Sequence, residues 1–179
     1  MDISIIIFLL GGLFLGWSLG ANDAANVFGT AVGTRMVRFK TAAIICSIFV
    51  ILGAIISGAG TTETLGKLGA INALPGAFAA CIAAGISVYL MTKAGLPVST
   101  TQAIVGAIVG WNLYTGSATN IKVLITILGT WVLCPVIAGL IAMGFFTFTK
   151  NFILKRKLHI LRLDAYTRTA LLLAGAFGA

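Results

Sequence analysis

Carboxylate and amide side chains cluster near the start of this 179-residue sequence, inside a stretch that is otherwise apolar. Residues 20–34 read Gly-Ala-Asn-Asp-Ala-Ala-Asn-Val-Phe-Gly-Thr-Ala-Val-Gly-Thr. On a helix, Asn22, Asp23 and Asn26 project to one side, because residues three and four apart are neighbours there. A carboxylate with nearby amide oxygens suits a hard cation such as sodium. The small residues Gly20 and Ala21 also permit a helix break with exposed backbone groups. The alternative to a cation site is that Asp23 only caps a helix near the membrane interface.

A second polar cluster follows a glycine and a proline that interrupt another apolar stretch. Residues 95–107 read Gly-Leu-Pro-Val-Ser-Thr-Thr-Gln-Ala-Ile-Val-Gly-Ala. Ser99 is a natural N-cap, and it is followed in the first helical turn by Thr100, Thr101 and Gln102. A helix start offers unpaired N–H groups and a partial positive charge, so these donors form an anion site without Lys or Arg. The plainer alternative is a simple serine cap after a loop.

The composition places both clusters in a membrane protein. Hydrophobic residues make up 59% of the chain and charged residues 9%, whereas a soluble domain carries about 25% charged residues. Five runs contain no Asp, Glu, Lys or Arg: 3–22, 41–62, 68–92, 94–121 and 123–149. Since a helix needs about 20 apolar residues to cross the bilayer, we expect an all-α polytopic membrane bundle of about five spans, with broken helices. No nucleophile–base pair or metal cluster stands out, so an enzyme is not expected.

The charge pattern divides the chain and orients it. We expect a membrane domain over residues 1–149, with spans near 3–20, 41–58, 76–92, 98–115 and 123–149. Residues 150–169 are basic and amphipathic, typical of a linker on the cytoplasmic membrane surface. Lys and Arg favour one set of alternating connections, so the positive-inside rule places the N-terminus outside the cell (inner or plasma) membrane. The basic charge then reflects topology, and nucleic acid is not an expected partner.

The end of the chain resembles its beginning. Leu172, Leu173, Gly175 and Phe177 match Leu9, Leu10, Gly12 and Phe14 in order and spacing. A similar start after an odd number of spans is how an inverted-topology repeat is built. We therefore expect residues 170–179 to begin the first span of a second repeat, and the chain to be one half of an inverted-repeat transporter. A chance match, or a truncated and non-transporting membrane subunit, is the alternative.

The two polar clusters resemble the signatures of the inorganic phosphate transporter family, the cation-coupled phosphate permeases. Residues 20–26 are similar to the family's Gly-Ala-Asn-Asp-Val-Ala-Asn motif, and 28–33 continue the match. Residues 97–102 resemble its Pro-(Ile/Val/Thr)-Ser-(Gly/Ser/Thr)-(Thr/Ser)-(His/Gln) motif. The resemblance implies phosphate binding by Asn22, Asp23, Ser99, Thr100, Thr101 and Gln102. It implies sodium binding by Asp23, Asn26 and Thr101.

The resemblance also implies a function and partners. Members of the family consist of two inverted repeats and assemble as dimers. We therefore expect import of inorganic phosphate by alternating access with co-transported sodium, no organic cofactor, a second repeat half, a homodimer and contact with membrane lipids. Gln102 stands where many relatives carry His, and glutamine cannot titrate near neutral pH, which favours sodium over protons. A proton-coupled phosphate permease and a sulfate permease remain open.

Four further features give expectations. Val50 follows Ser47-Ile-Phe49 where many eukaryotic members have Glu, so any coupling role of that Glu is in doubt here. Glu63 and Lys67 are spaced for an exposed salt bridge. Asn112 lies near the end of the fourth run, where we expect it at the membrane interface. Regularly spaced glycines predict close helix packing, namely Gly12, Gly16, Gly20, Gly29, Gly33, Gly106 and Gly110.

Overall fold

The computed structural model describes residues 3–69, 74–154 and 159–178, and every regular element in these ranges is helical. The chain is therefore the all-α membrane bundle that its composition predicts. In chain order the helices are α1 (Ile3–Gly33), α2 (Phe39–Leu68), α3 (Leu74–Lys93), α4 (Thr100–Thr115), α5 (Ile121–Phe148), a π-helical turn (Thr149–Leu154) and α6 (Ile160–Gly178).

The helices differ from the five predicted spans in length. Among the described residues, four helices are long and apolar enough to cross a membrane: α1, α2, α3 and the α5 segment. Helix α4 has 16 residues, fewer than the roughly 20 that a full crossing requires. Helix α1 has 31 residues and continues well beyond the predicted span of 3–20. The fourth span is thus a short helix that starts at the second polar cluster.

The predicted break in the first helix is wrong, because α1 runs through Gly20 and Ala21 without interruption. A helical glycine costs only about 1 kcal/mol relative to alanine. A break in apolar surroundings leaves backbone groups unsatisfied, which costs several kcal/mol for each group. The chain is instead interrupted between α3 and α4, where Gly95 adopts a φ of +73° and Pro97 has no N–H to donate.

Helices α1 and α3 pack side by side and run in the same direction. The Phe8 ring contacts Phe78 at a centroid distance of 5.7 Å, and the Trp17 ring contacts Tyr89 at 5.7 Å. Farther along, α1 reaches Val98 in the connection to α4. Since residue numbers rise together along both helices, the α3–α4 connection lies beside the middle of α1. This packing brings the two polar clusters together.

The glycines that allow this close packing are not the ones that the spacing predicts. A Cβ atom on Gly85 of α3 would lie 2.7 Å from the Phe14 ring and 3.4 Å from the Leu15 backbone. Gly11 and Gly76 face ring atoms equally closely. By contrast, the predicted packing glycines have no neighbour within 4 Å of such an atom, which holds for Gly12, Gly16, Gly20, Gly29, Gly33, Gly106 and Gly110.

Gly85→Ala is therefore expected to destabilise the bundle by about 1–3 kcal/mol, because the added methyl group overpacks the α1–α3 contact. Thermal unfolding in detergent, followed by circular dichroism, measures the effect. The matched control is Gly53→Ala in α2, where nothing lies within 4 Å of the new atom. There we expect no loss, and up to about 1 kcal/mol of gain from helix propensity. Equal melting temperatures for the two variants would contradict this packing.

Asn112 is fully buried within the protein, and its expected depth at the membrane interface stays a prediction. Its Nδ2 donates to Thr119 Oγ1 at 3.0 Å, across the turn between α4 and α5. The backbone N–H of Asn120 donates to the Leu68 carbonyl at 3.0 Å. The end of α4 is therefore covered because the start of α5 is hydrogen-bonded to the end of α2.

The expected Glu63–Lys67 salt bridge is confirmed, and both side chains are exposed.

The last helix packs on the first two. Leu171 and Leu172 of α6 contact the apolar cluster of α1 and α2 around Phe28, and Gly175 lies directly against the Phe28 ring. Residues 170–178 thus continue a helix that begins at Ile160. Four residues of the expected basic linker, 155–158, lie outside the described residues.

Candidate functional site

The two polar clusters meet where the middle of α1 faces the start of α4. Asn22 Nδ2 donates to the Val98 carbonyl oxygen at 2.8 Å, and the Val98 N–H donates back to Asn22 Oδ1 at 3.5 Å. Asn22 is only 4% exposed. The side-chain amide therefore forms two hydrogen bonds with the backbone of the α3–α4 connection, one as donor and one as acceptor.

Asp23 lies at the centre of this contact. One of its oxygens, Oδ1, accepts a hydrogen bond from Asn22 Nδ2 at 2.8 Å. The hydroxyl of Thr100, the first residue of α4, lies 3.3 Å from Oδ2 and 3.4 Å from Oδ1. Thr100 is buried and Asp23 is half-buried. These contacts join the acidic residue of the first cluster directly to the helix start of the second.

No basic side chain neutralises this carboxylate within the described ranges. The two ion pairs found there join Lys67 to Glu63 and Arg168 to Asp164. A carboxylate in an apolar helix bundle is costly unless it meets a cation, a proton or water. Asp23 is therefore a candidate ligand for a mobile cation.

The start of α4 is capped as predicted. Ser99 has extended backbone angles, and its Oγ accepts a hydrogen bond from the Gln102 N–H at 3.4 Å. The first N–H groups of a helix have no partner within the helix, and the dipole leaves a partial positive charge there. The side chains of Thr101 and Gln102 are exposed beside this helix end. The start of α4 thus offers hydrogen-bond donors next to the Asp23 carboxylate.

The structure brings some of the predicted residues together and leaves others apart. Asn22, Asp23 and Thr100 are linked by hydrogen bonds, and Ser99 adjoins Thr100 in the chain. The side chain of Asn26 is exposed one turn farther along α1, and in the ranges that the structure describes it bonds to none of the other residues of the site. The ligand assigned to each of these side chains stays a prediction.

The partner of Asn22 could not be predicted from the sequence. It is the backbone of Val98, and every residue type has the same backbone carbonyl. The only indication was general: a glycine and a proline before Ser99 interrupt the helix and leave backbone groups without partners inside a helix. Ser18 was also missed. It lies one turn before Asn22, is 1% exposed, and its hydroxyl has no hydrogen-bond partner among the described residues.

A separate groove of about 790 Å³ lies between α1 and α2. Its lining is almost entirely apolar and consists of small and aromatic residues, including Gly20, Ala24, Phe28 and Phe39. None of the predicted phosphate or sodium ligands lines it. The groove is therefore separate from the polar junction of α1 and α4.

The chain matches known proteins along most of its length. The model of the phosphate transporter family matches residues 19–175. A protein from Thermococcus kodakarensis that is described as a phosphate permease is 35% identical over 167 residues, covering 88% of this chain and 41% of that protein. A sodium-dependent phosphate transporter from Plasmodium falciparum is 33% identical over 156 residues, covering 80% of this chain and 23% of the transporter.

A solved structure has the same fold. It is a sodium-dependent phosphate transporter, with a TM-score of 0.76 and 28% sequence identity. The match covers 99% of this chain and 54% of that structure's chain. The chain thus spans about two fifths of the Thermococcus relative and about half of the solved transporter.

Proposed function

Because this chain belongs to the phosphate transporter family, we propose that it carries inorganic phosphate across a membrane together with sodium. The observation that carries this proposal is the Asp23 carboxylate, which has no basic partner among the described residues and accepts a hydrogen bond from the first residue of α4. The chain is a multi-pass membrane protein, and we propose that it acts as a transporter rather than as an enzyme.

The carboxylate gives a physical reason for coupling. Two like charges about 4 Å apart repel by about 4 kcal/mol at an effective dielectric constant of about 20. Phosphate at the start of α4 would meet this repulsion from Asp23, because Thr100 contacts the carboxylate directly. A cation bound to Asp23 removes the repulsion and adds attraction. Phosphate and cation therefore bind more strongly together than either binds alone.

We propose the following division of ligands. Phosphate accepts hydrogen bonds from the backbone N–H groups at the start of α4, that of Thr100 among them, and from the side chains of Ser99, Thr101 and Gln102, while the Thr100 hydroxyl donates to Asp23. Sodium takes oxygen atoms from Asp23, Asn26 and Thr101, and the Asp23 carboxylate also accepts the hydrogen bond that the P–OH group of the bound phosphate donates. The donors around the phosphate are neutral, so the anion is held without a fixed positive charge and can be released once sodium leaves.

The transport cycle needs more than this site. We propose that a second repeat half completes an alternating-access pathway and that the complete transporter is a homodimer. The lengths of the relatives support the second half, since the chain spans only part of each. Each sodium ion that moves down a membrane potential of about 100 mV supplies about 2.3 kcal/mol. Exposed Arg35 and Arg38 between α1 and α2, with Lys40 in the first turn of α2, support an N-terminus outside the cell membrane, with residues 150–169 in the cytoplasm.

Uptake of labelled phosphate into proteoliposomes tests this function. We would compare the 179-residue chain with the same chain continued by the second half of the Thermococcus kodakarensis relative. An inward sodium gradient is expected to drive uptake into vesicles that contain the continued chain, and a pH gradient in sodium-free buffer is not. Uptake driven by the pH gradient alone would favour proton coupling. Sodium-driven uptake by the 179-residue chain alone would contradict the need for a second half.

Competition by sulfate in the same assay tests the substrate. Phosphate carries at least one P–OH group at neutral pH, and a carboxylate such as that of Asp23 can accept its hydrogen bond. Sulfate has no proton to donate, and a site built for such a bond rejects the analogue that lacks it. A tenfold excess of sulfate is therefore expected to leave phosphate uptake nearly unchanged, whereas strong inhibition would favour a sulfate permease.

A further inference from the structure

We infer that Asn22 is a positioning residue, which fastens the α3–α4 connection to α1 and thereby sets the distance between Asp23 and the start of α4. Its predicted role as a direct phosphate ligand is replaced by this one. The structural part of the inference depends only on the contacts of Asn22. Its consequence for transport rests on the proposed function.

The amide of Asn22 has no donor left for an anion. A carboxamide carries two N–H donors and one carbonyl oxygen. Nδ2 donates to the Val98 carbonyl and to Asp23 Oδ1, at 2.8 Å each. Oδ1 accepts the Val98 N–H at 3.5 Å, and the side chain is 4% exposed. Phosphate could bind Asn22 only by breaking one of these bonds.

The α3–α4 connection needs such a partner. Helix α3 ends at Lys93 and α4 begins at Thr100, so Val98 belongs to neither helix and its backbone pairs with Asn22. The N–H and carbonyl of half-buried Val98 need hydrogen-bond partners, and Asn22 supplies one for each. An amide side chain offers one donor and one acceptor in the same plane, as a peptide group does. An ionised carboxylate has no proton to donate to the Val98 carbonyl, and an apolar side chain forms neither bond.

The same side chain also orients the carboxylate. Asn22 and Asp23 are adjacent in sequence, and the second N–H of Asn22 binds Asp23 Oδ1. The Thr100 hydroxyl approaches the same carboxylate two residues after Val98. Asn22 therefore binds both the carboxylate that accepts from Thr100 and the segment that leads into Thr100. Loss of this side chain would free the start of α4 to move away from Asp23.

Hydrogen–deuterium exchange tests the structural part without any transported substrate. In sodium-free, phosphate-free buffer, Asn22→Ala is expected to speed amide exchange over residues 94–99 by about 5- to 30-fold, because one or two hydrogen bonds that oppose local opening are lost. The matched control is Thr30→Ala, an exposed polar residue of the same helix, where no change over 94–99 is expected. Unchanged exchange in Asn22→Ala would overturn the inference.

A second variant covers the case in which Asn22→Ala does not fold. Asn22→Leu keeps a side chain of similar size but can neither donate to the Val98 carbonyl nor accept from its N–H, so exchange over 94–99 is again expected to rise. If this variant exchanged like the parent protein, Asn22 would not fasten the connection. Helical ellipticity of each variant confirms folding.

Uptake kinetics separate positioning from direct binding. If Asn22 sets the distance between Asp23 and α4, its removal raises the half-saturation concentrations for phosphate and for sodium together. Each value is measured with the other ligand saturating, because the two ligands strengthen each other's binding. If Asn22 is only a phosphate ligand, the phosphate value rises alone and exchange over 94–99 stays unchanged, which would contradict the inference. A parent protein that carries no phosphate would refute the proposed function, while the exchange experiment would still decide the role of Asn22.

Discussion

Asp23→Asn is expected to abolish sodium-driven phosphate uptake while the helix bundle stays folded. Asparagine has nearly the same shape, and its oxygen can still accept the hydrogen bond that Thr100 donates. The variant loses the negative charge, whose attraction for a cation about 4 Å away amounts to roughly 4 kcal/mol at an effective dielectric constant of about 20. That energy corresponds to a loss of about 1,000-fold in cation affinity. Initial rates of labelled phosphate uptake against sodium concentration measure the effect.

The matched control is Asp164→Asn in α6. Asp164 pairs with Arg168 at 2.9 Å, and both side chains are about half exposed, so the pair contributes little. Uptake by this variant is expected to equal that of the parent protein. If Asp23→Asn retained normal uptake with its sodium dependence intact, Asp23 would not hold the coupled cation.

Thr100→Val is expected to lower phosphate uptake at limiting substrate by about tenfold or more. Valine keeps the size of the buried side chain but cannot donate to the Asp23 carboxylate. A hydrogen bond to a charged group contributes about 1.5–3 kcal/mol, and the carboxylate would remain half-buried with one donor fewer. The ratio of maximal rate to phosphate half-saturation concentration, at saturating sodium, measures the loss.

Two variants define how this result is interpreted. Thr100→Ser retains the hydroxyl and is expected to recover most of the activity. Thr126→Val removes a hydroxyl that bonds only to the Lys122 carbonyl within α5, so no loss is expected. A Thr100→Ser variant as impaired as Thr100→Val would show that the hydroxyl is not what matters, and that the α4 start does not depend on its bond to Asp23.

Local features of the fold could be predicted because their energy depends on adjacent residues. Long runs without charge predict helices, and Ser99 after a glycine and a proline predicts the start of α4, which is confirmed. The break at Gly20 was wrong, because a glycine permits a break but the apolar surroundings decide whether the helix continues. Adjacent residues thus determine which backbone conformations are permitted, and the surrounding environment determines which of them forms.

Features that depend on packing could not be predicted. Which glycines contact a neighbouring helix is set by the rotation of each helix about its axis, so Gly85 is tightly packed and Gly16 is open. The partner of Asn22 is a backbone group 76 residues away, which leaves no mark on the residue type at Val98. The predicted site residues could be named from two short motifs, whereas the contacts among them required the three-dimensional arrangement of α1, α3 and α4.

Sodium dependence of phosphate binding at equilibrium tests the coupled site most directly. Labelled phosphate would be titrated into the purified protein that is used for uptake, in sodium and in choline buffers of equal ionic strength. Because coupling between two ligands is reciprocal, rising sodium is expected to lower the phosphate Kd, and rising phosphate to lower that of sodium. Both effects are expected to vanish in Asp23→Asn. Phosphate binding of equal strength in sodium and in choline would contradict a cation-completed anion site at Asp23.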